Sequence, residues 1–142
     1  MMKVIRIAAI CAALLLFAAG CKDQENPEAA AAAQEAARKW LYLVDTGRYG
    51  ESWEAAAALF REEVPKEKWV ESLTAVRKPM GANQERMLDR ARFRSSMKGA
   101  PRGEYVFIEY KSSFENNESA RETVTPTKED DGVWRVAGYY CK

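Results

Sequence analysis

The spacing of the apolar residues changes at Gly81 from a helical period to a strand period. Before this glycine, apolar side chains recur every three or four residues, as they do along one face of an amphipathic helix. After it, apolar and polar residues alternate, as they do in a strand with one buried face. A group of helices followed by a group of antiparallel strands predicts an α+β fold, in which the helices pack on the sheet.

The first half of the chain predicts three helices. The first covers 27–46, between a capping side chain at Asn26 and a left-handed cap at Gly47. The second begins near Glu51, and the third covers 65–78. Five large side chains follow the helical spacing and are expected to form the contact between helices and sheet: Trp40, Trp53, Phe60, Trp69 and Leu73.

The second half predicts four antiparallel strands joined in chain order. They are rich in aromatic and β-branched residues and are separated by turn-forming sequences. We expect them over 86–94, 104–114, 121–127 and 133–141. Together with the three helices, they predict one α+β domain over 27–142.

Strict alternation divides the first strand into two faces. One face carries Met87, Asp89, Ala91 and Phe93. The other carries Leu88 and a basic strip of four arginines, Arg86, Arg90, Arg92 and Arg94. Such a strip either contacts anionic lipid headgroups or pairs with acids on the neighbouring strands. We adopt the second interpretation, with three candidate partners: Glu104, Glu109 and Glu122.

The N-terminal segment predicts export from the cytoplasm. Lys3 and Arg6 precede an apolar run over 7–17, and small residues follow at 18–20. This is the order of regions in a secretory signal peptide, which we place at 1–20. The apolar run is shorter than the roughly 20 residues that a membrane-spanning helix needs.

The sequence Ala18-Ala19-Gly20-Cys21 resembles the lipobox of bacterial lipoproteins. That resemblance implies cleavage before Cys21 and attachment of acyl chains such as palmitate, so that 21–26 becomes a lipidated cysteine with a short tether. More than one acyl chain gives stable membrane anchoring. The protein would then face the periplasm from the cell envelope, and Lys22 favours the outer over the inner membrane. Ordinary signal cleavage, with Cys21 left as a plain thiol, is the alternative.

Seven blocks of the remaining chain resemble one bacterial family, the domain of unknown function numbered 4019. They are AARKWL at 36–41, DTGRYGESW at 45–53, FR at 60–61, WV at 69–70, GEYV at 103–106, ETVTP at 122–126 and GVWRVAGYY at 132–140. The resemblance covers 32–140 and implies an exported or lipid-anchored protein without an established activity. The order of elements resembles the nuclear-transport-factor-two-like (cystatin-like) fold. This implies a cone in which helices and a curved four-stranded antiparallel sheet enclose a pocket.

Composition excludes several kinds of chemistry. The chain has no histidine, which removes Ser-His-Asp and Cys-His catalysis and metal sites built on imidazole. Its formal net charge of +1 does not indicate a nucleic-acid partner. The triplet Asp45-Thr46-Gly47 matches that of aspartic proteases, but it ends a predicted helix instead of lying in a loop between strands. We therefore interpret Asp45 as a hydrogen-bond acceptor for the loop at 48–49.

Four residues are candidates for the lining of a pocket: Asp89, Tyr105, Tyr110 and Trp134. An inward Asp89 beside Tyr105 or Tyr110 would resemble the general base and hydrogen-bond donors of ketosteroid isomerase, a cone-fold enzyme. Pairing of Asp89 with an arginine is the interpretation we adopt. We predict no catalytic residue, cofactor or metal ion.

The sequence as a whole predicts a non-catalytic, lipid-anchored envelope protein that binds a partner protein or a small apolar ligand. One alternative is a pocket enzyme that acts on a small hydrophobic substrate, and another is a structural homodimer. Cleavage and acylation would leave Cys141 as the remaining thiol. It is either a small buried side chain or a link between two chains.

Overall fold

The computed structural model describes residues 25–142, which form four helices followed by four strands. The helices are α1 (Pro27–Asp45), α2 (Tyr49–Glu54), α3 (Ala58–Glu63) and α4 (Lys66–Met80). The strands are β1 (Asn83–Arg94), β2 (Tyr105–Phe114), β3 (Asn117–Lys128) and β4 (Trp134–Cys141). This order confirms the predicted α+β class. The predicted signal peptide and the candidate lipidation site, Cys21, lie outside the described residues.

Helix α1 begins and ends where local signals predict. The Asn26 side chain accepts a hydrogen bond from the backbone N–H of Ala29 at 3.0 Å, and Pro27 occupies the first helical position. Gly47 follows the helix with a φ of +73°, the left-handed conformation that glycine adopts without steric cost. Within 25–142, no helix is both long and apolar enough to span a membrane.

The prediction of three helices is wrong in number, because the expected second helix is divided into α2 and α3. The chain leaves the helical conformation at Ala57, whose φ and ψ are −59° and 150°. The backbone N–H of Ala57 donates to the carbonyl oxygen of Val136 in β4 at 2.8 Å. This hydrogen bond between distant parts of the chain overrides the local helical pattern.

The four strands form one antiparallel sheet in the order β1-β2-β3-β4, which confirms the predicted meander. The main core lies between the helices and one face of this sheet, called here the inner face. Of the five side chains predicted to join helices and sheet, Trp53 is partly buried and packs against this core. The other four are buried within it: Trp40, Phe60, Trp69 and Leu73.

A β-bulge at Asp89 changes which residues of β1 reach the inner face. Leu88 is opposite Tyr110 and Arg90 is opposite Glu109, so Asp89 is an extra residue in β1. Because side chains alternate, one extra residue reverses the facing of everything beyond it. Arg86 and Leu88 therefore share the inner face with Ala91 and Phe93. The predicted single strip of four arginines is wrong, since Arg90, Arg92 and Arg94 lie on the outer face.

Candidate functional site

Four charged residues meet beneath the helices at the inner face of the sheet. We call Asp45, Arg77, Arg86 and Glu122 the interior quartet. Asp45 is the last residue of α1, and Arg77 lies in the last turn of α4. Arg86 comes from β1 and Glu122 from β3. Glu122 is fully buried, and the Arg77 side chain is 4% exposed.

The two arginines bridge the two carboxylates. Arg86 donates two hydrogen bonds to Asp45, at 2.7 and 3.0 Å, and two to Glu122 at the same two distances. Arg77 donates from Nη2 to Asp45 at 2.8 Å, and its Nη1 lies 3.9 Å from a Glu122 oxygen. Two positive and two negative charges thus neutralise one another inside the protein.

Neutral side chains complete the hydrogen bonding of Glu122. The Ser112 hydroxyl donates to its Oε2, and the Tyr139 hydroxyl donates to its Oε1 at 2.7 Å. The guanidinium of Arg77 also lies over the Phe114 ring, 4.6 Å from the ring centre, in a cation–π contact. Within the described residues, Arg77 Nε is left without a hydrogen-bond partner.

For Asp45, Arg77 and Arg86, the pKa is shifted in the direction that favours the charged form. Burial acts to raise the pKa of Asp45, but the hydrogen bonds from Arg86 and Arg77 outweigh it, and the pKa is lowered. Burial likewise acts against the charged form of Arg86, and its bonds to Asp45 and Glu122 nevertheless raise its pKa. Burial, followed by the charge of Glu122, raises the pKa of Tyr139, so this phenol remains a donor.

An open groove of about 410 Å³ runs beside the quartet, between α1 and β1. Arg86 and Leu88 of β1 and Tyr110 of β2 form one wall. The other wall belongs to α1 and consists of Gln34, Glu35, Arg38 and Leu41. Leu88 is 50% exposed, which is unusual for an inner-face leucine and leaves an apolar surface available at the protein's edge.

The candidate pocket residues lie in separate places. Tyr110 lines the groove, whereas the Tyr105 hydroxyl donates to the Pro101 carbonyl at 2.7 Å. Trp134 packs at the edge of the main core. Asp89 lies on the outer face, where Lys111 and Arg121 are 2.8 and 3.4 Å away. The hydrogen bond from Lys111, supported by Arg121, lowers the pKa of Asp89.

Two side chains have different partners from those expected from the sequence. Asp45 binds the two arginines of the quartet and not the loop at 48–49, where Arg48 binds Glu51. Cys141 is half-buried, and its Sγ lies 3.7 Å from the Met80 sulfur. Across 25–142, no cluster of three or more His, Cys, Asp or Glu residues is arranged to hold a metal ion.

The sequence analysis named Asp45, Arg86 and Glu122 but did not predict that they lie together, and it did not include Arg77 among the candidate residues. A signal for Arg77 was present. It occupies the fourth residue after Leu73 and the eighth after Trp69, so it belongs to the apolar stripe of α4. A charged residue at a position with core spacing is a sign of a buried ion pair.

Comparison with known proteins identifies the family of this chain. Among curated proteins, no match to the chain is found. The family model described as "Protein of unknown function (DUF4019)" matches residues 36–139. This range contains the whole quartet and most of the groove, and it is the larger part of the chain. The family resemblance seen in the sequence is therefore confirmed, and the chain belongs to the DUF4019 family.

Proposed function

We propose that this chain is a lipid-anchored protein of the bacterial envelope whose domain binds a partner protein in the groove between α1 and β1. The observation that carries the proposal is the half-exposed Leu88 in an open groove beside a charge-neutral interior. In this proposal the quartet is structural, because it fixes α1 and α4 against β1 and β3. The groove is the binding surface.

The composition of the groove supports a protein as the occupant. Leu88 offers the exposed apolar surface, Leu41 and Tyr110 are nearly buried behind it, and the ion pair between Arg38 and Glu35 forms a polar rim at 2.7 Å. An apolar centre with a polar rim is the usual arrangement of a protein interface. A small apolar ligand is less well matched, because such ligands are normally enclosed over most of their surface.

The electrostatics of the interior support a non-catalytic role. A general base working near neutral pH needs a pKa raised toward that pH. The arginines lower the pKa of Asp45 instead. The alternative, an enzyme acting on a small hydrophobic substrate, would need a carboxyl group with the opposite shift facing a closed pocket.

The lipobox-like sequence at 18–21 supports anchoring through Cys21, and Lys22 supports the outer over the inner membrane. Three residues separate Cys21 from Glu25, so the two lie at most about 14 Å apart along an extended chain. The domain would then lie close to the bilayer surface. The packing of helices on one face of a four-stranded sheet supports the cone-like nuclear-transport-factor-two-like arrangement.

Mass spectrometry of the protein from its native membrane tests the anchor. We expect an N-terminal residue at Cys21 that carries acyl chains. We also expect Cys21→Ser to release the protein from the membrane fraction. A chain that retains Met1, or an unmodified thiol at Cys21, would contradict the anchor without bearing on the groove.

Site-specific photo-crosslinking tests the groove. A benzoylphenylalanine at position 88 of the full chain, expressed in its native cell, should crosslink to a discrete partner. The matched control is position 133, because Val133 is similarly exposed at 46% but is not among the residues that line the groove. Equal crosslinking at both positions, or none at 88, would refute the proposal. A crosslink to a second copy would instead favour the structural homodimer.

A further inference from the structure

We propose that the partner segment in the groove between α1 and β1 presents an apolar side chain to Leu88 and, beside it, a peptide carbonyl oxygen that accepts a hydrogen bond from the Tyr110 hydroxyl. The inference rests on the proposed function, and it adds the chemistry that the groove selects in its partner: an apolar group next to an uncharged hydrogen-bond acceptor.

Tyr110 brings a hydroxyl without a protein partner to the groove. It is opposite Leu88 in the pairing of β2 with β1, and both residues line the groove. Tyr110 is only 9% exposed, yet its hydroxyl makes no hydrogen bond within residues 25–142. In this part of the chain, the one side-chain atom that is both sealed from solvent and without a partner is Arg77 Nε. The Tyr110 oxygen is therefore open to solvent, and the groove is the open surface that Tyr110 lines.

The Tyr110 hydroxyl acts as a donor at neutral pH, because burial raises the pKa of this phenol and it keeps its proton. Arg86 also lines the groove and offers a second donor. Of the five N–H groups of a guanidinium, four are used in the bonds of Arg86 to Asp45 and Glu122. The fifth, on Nη1, has no partner among the described residues. Two donors on one groove favour an acceptor in the ligand.

The acceptor should be uncharged. The two arginines of the quartet already balance Asp45 and Glu122 through close ion pairs. A carboxylate brought beside them would add a negative charge that nothing in the quartet offsets, at a place where binding removes water. A peptide carbonyl supplies the same lone pairs without this charge.

An apolar side chain alone would be a poor occupant of the groove. A group packed on the half-exposed Leu88 would displace water from the Tyr110 hydroxyl opposite it. A hydroxyl that loses water and gains no partner lowers the affinity. Sites with such a group discriminate strongly against ligands that lack the matching atom. The apolar contact and the carbonyl therefore act together in selecting the partner segment.

Two leucine derivatives that differ in charge test the acceptor. One is N-acetyl-leucine N-methylamide, which ends in a neutral amide, and the other is N-acetyl-leucine, which ends in a carboxylate. The protein is purified from its native membrane into lipid nanodiscs with isotope-labelled leucine methyl groups, and the Leu88 signals are followed by NMR. We expect the amide to shift these signals and to bind about tenfold more tightly than the acid. No shift with the amide, or equal binding of the acid, would overturn the inference.

Removal of the hydroxyl alone, by Tyr110→Phe, provides the variant. Tyr42→Phe is the matched control, because Tyr42 is 61% exposed on α1 and does not line the groove. We expect Tyr110→Phe to weaken binding of the amide about tenfold and Tyr42→Phe to leave it unchanged. Since the Tyr110 hydroxyl has no partner among the described residues, the variant should fold with the urea midpoint of the wild type. Unchanged affinity in a folded Tyr110→Phe protein would refute the hydrogen bond.

Photo-crosslinking at position 88 separates this inference from the proposed function. If a partner crosslinks there but Tyr110→Phe does not weaken binding of the amide, the inference fails and the groove remains the partner site. If the amide binds in a Tyr110-dependent manner but no protein crosslinks at 88, the proposed function fails. The preference of the groove for a neutral carbonyl would then stand without a protein partner.

Discussion

Glu122 depends on its neighbours more than any other residue of the quartet, because it is fully buried and accepts hydrogen bonds from Arg86, Ser112 and Tyr139. The substitution Glu122→Gln keeps the shape of the side chain but removes its charge, so that Asp45 is the one carboxylate left in the quartet for Arg77 and Arg86. Breaking a buried ion pair costs about 3–5 kcal/mol, and we expect a loss of that size in the free energy of unfolding, measured by urea denaturation.

Glu109→Gln is the matched control for this substitution. Glu109 also contacts two arginines from a neighbouring strand, but on the outer face and at least partly in solvent. Its loss should cost about 0–1 kcal/mol. Equal effects of the two substitutions would contradict the structural role given to the quartet.

Asp45 should make stability depend on acid pH. Its pKa in the folded protein lies below the ordinary value of 3.8, because the bonds from Arg86 and Arg77 outweigh burial. Its contribution is therefore complete above that ordinary value and is lost as the pH falls toward the lowered pKa.

We expect the stability difference between the wild type and Asp45→Asn to be largest above about pH 5 and to shrink below about pH 4. Urea denaturation of both proteins at a series of pH values measures it. A difference that stays constant into the acid range would show that the carboxylate charge contributes nothing.

At the level of elements, the role of Asp89 as an extra residue in β1 can be tested separately from the role of its side chain. Asp89→Ala removes ion pairs on the outer face and should change the free energy of unfolding by at most about 1 kcal/mol. Deletion of Asp89 removes the extra residue, and because Arg86 and Phe93 are then an even number of positions apart, strict alternation still places both on the inner face. We therefore expect the deletion variant to retain cooperative unfolding in circular dichroism. Loss of cooperative unfolding would mean that the bulge itself is needed for the packing of β1.

The sequence predicted the limits of α1 but not the bulge in β1, and the two features have different physical causes. The limits of α1 follow from signals next to them in sequence, Asn26 at one end and Gly47 at the other. The bulge in β1 follows from its pairing with β2, which no local pattern reports. The break between α2 and α3 has the same kind of cause, because Ala57 bonds to a strand far away in the sequence.

For the whole molecule, helices and sheet should unfold together. The ring centres of Trp40 in α1 and Trp69 in α4 are 5.9 Å apart, and the ring centres of Trp40 and Tyr139 in β4 are 5.4 Å apart. We expect tryptophan fluorescence and far-ultraviolet circular dichroism to give the same denaturation midpoint, as they do for a two-state protein. Separate midpoints would show that the helices detach before the sheet unfolds.

The candidate site was less predictable than the fold for a related reason. Alternation and turn sequences determine a meander, whereas the quartet joins four elements that are distant in sequence. Pairing of the arginine strip with Glu122 was predicted, but the burial of the pair between Arg86 and Glu122 was not, because it depends on the bulge that turns Arg86 to the inner face. The groove depends on how α1 crosses the sheet edge, which hydrophobic spacing does not specify.

The balanced interior also restricts how this domain can diverge among its relatives. Loss of one member of the quartet leaves an unpaired charge buried in the core. Replacement of one cation and one anion together by apolar residues leaves no unpaired charge. Substitutions at Asp45, Arg77, Arg86 and Glu122 should therefore arise as compensating pairs within a lineage. We expect each homologue to retain either all four charged side chains or one cation together with one anion.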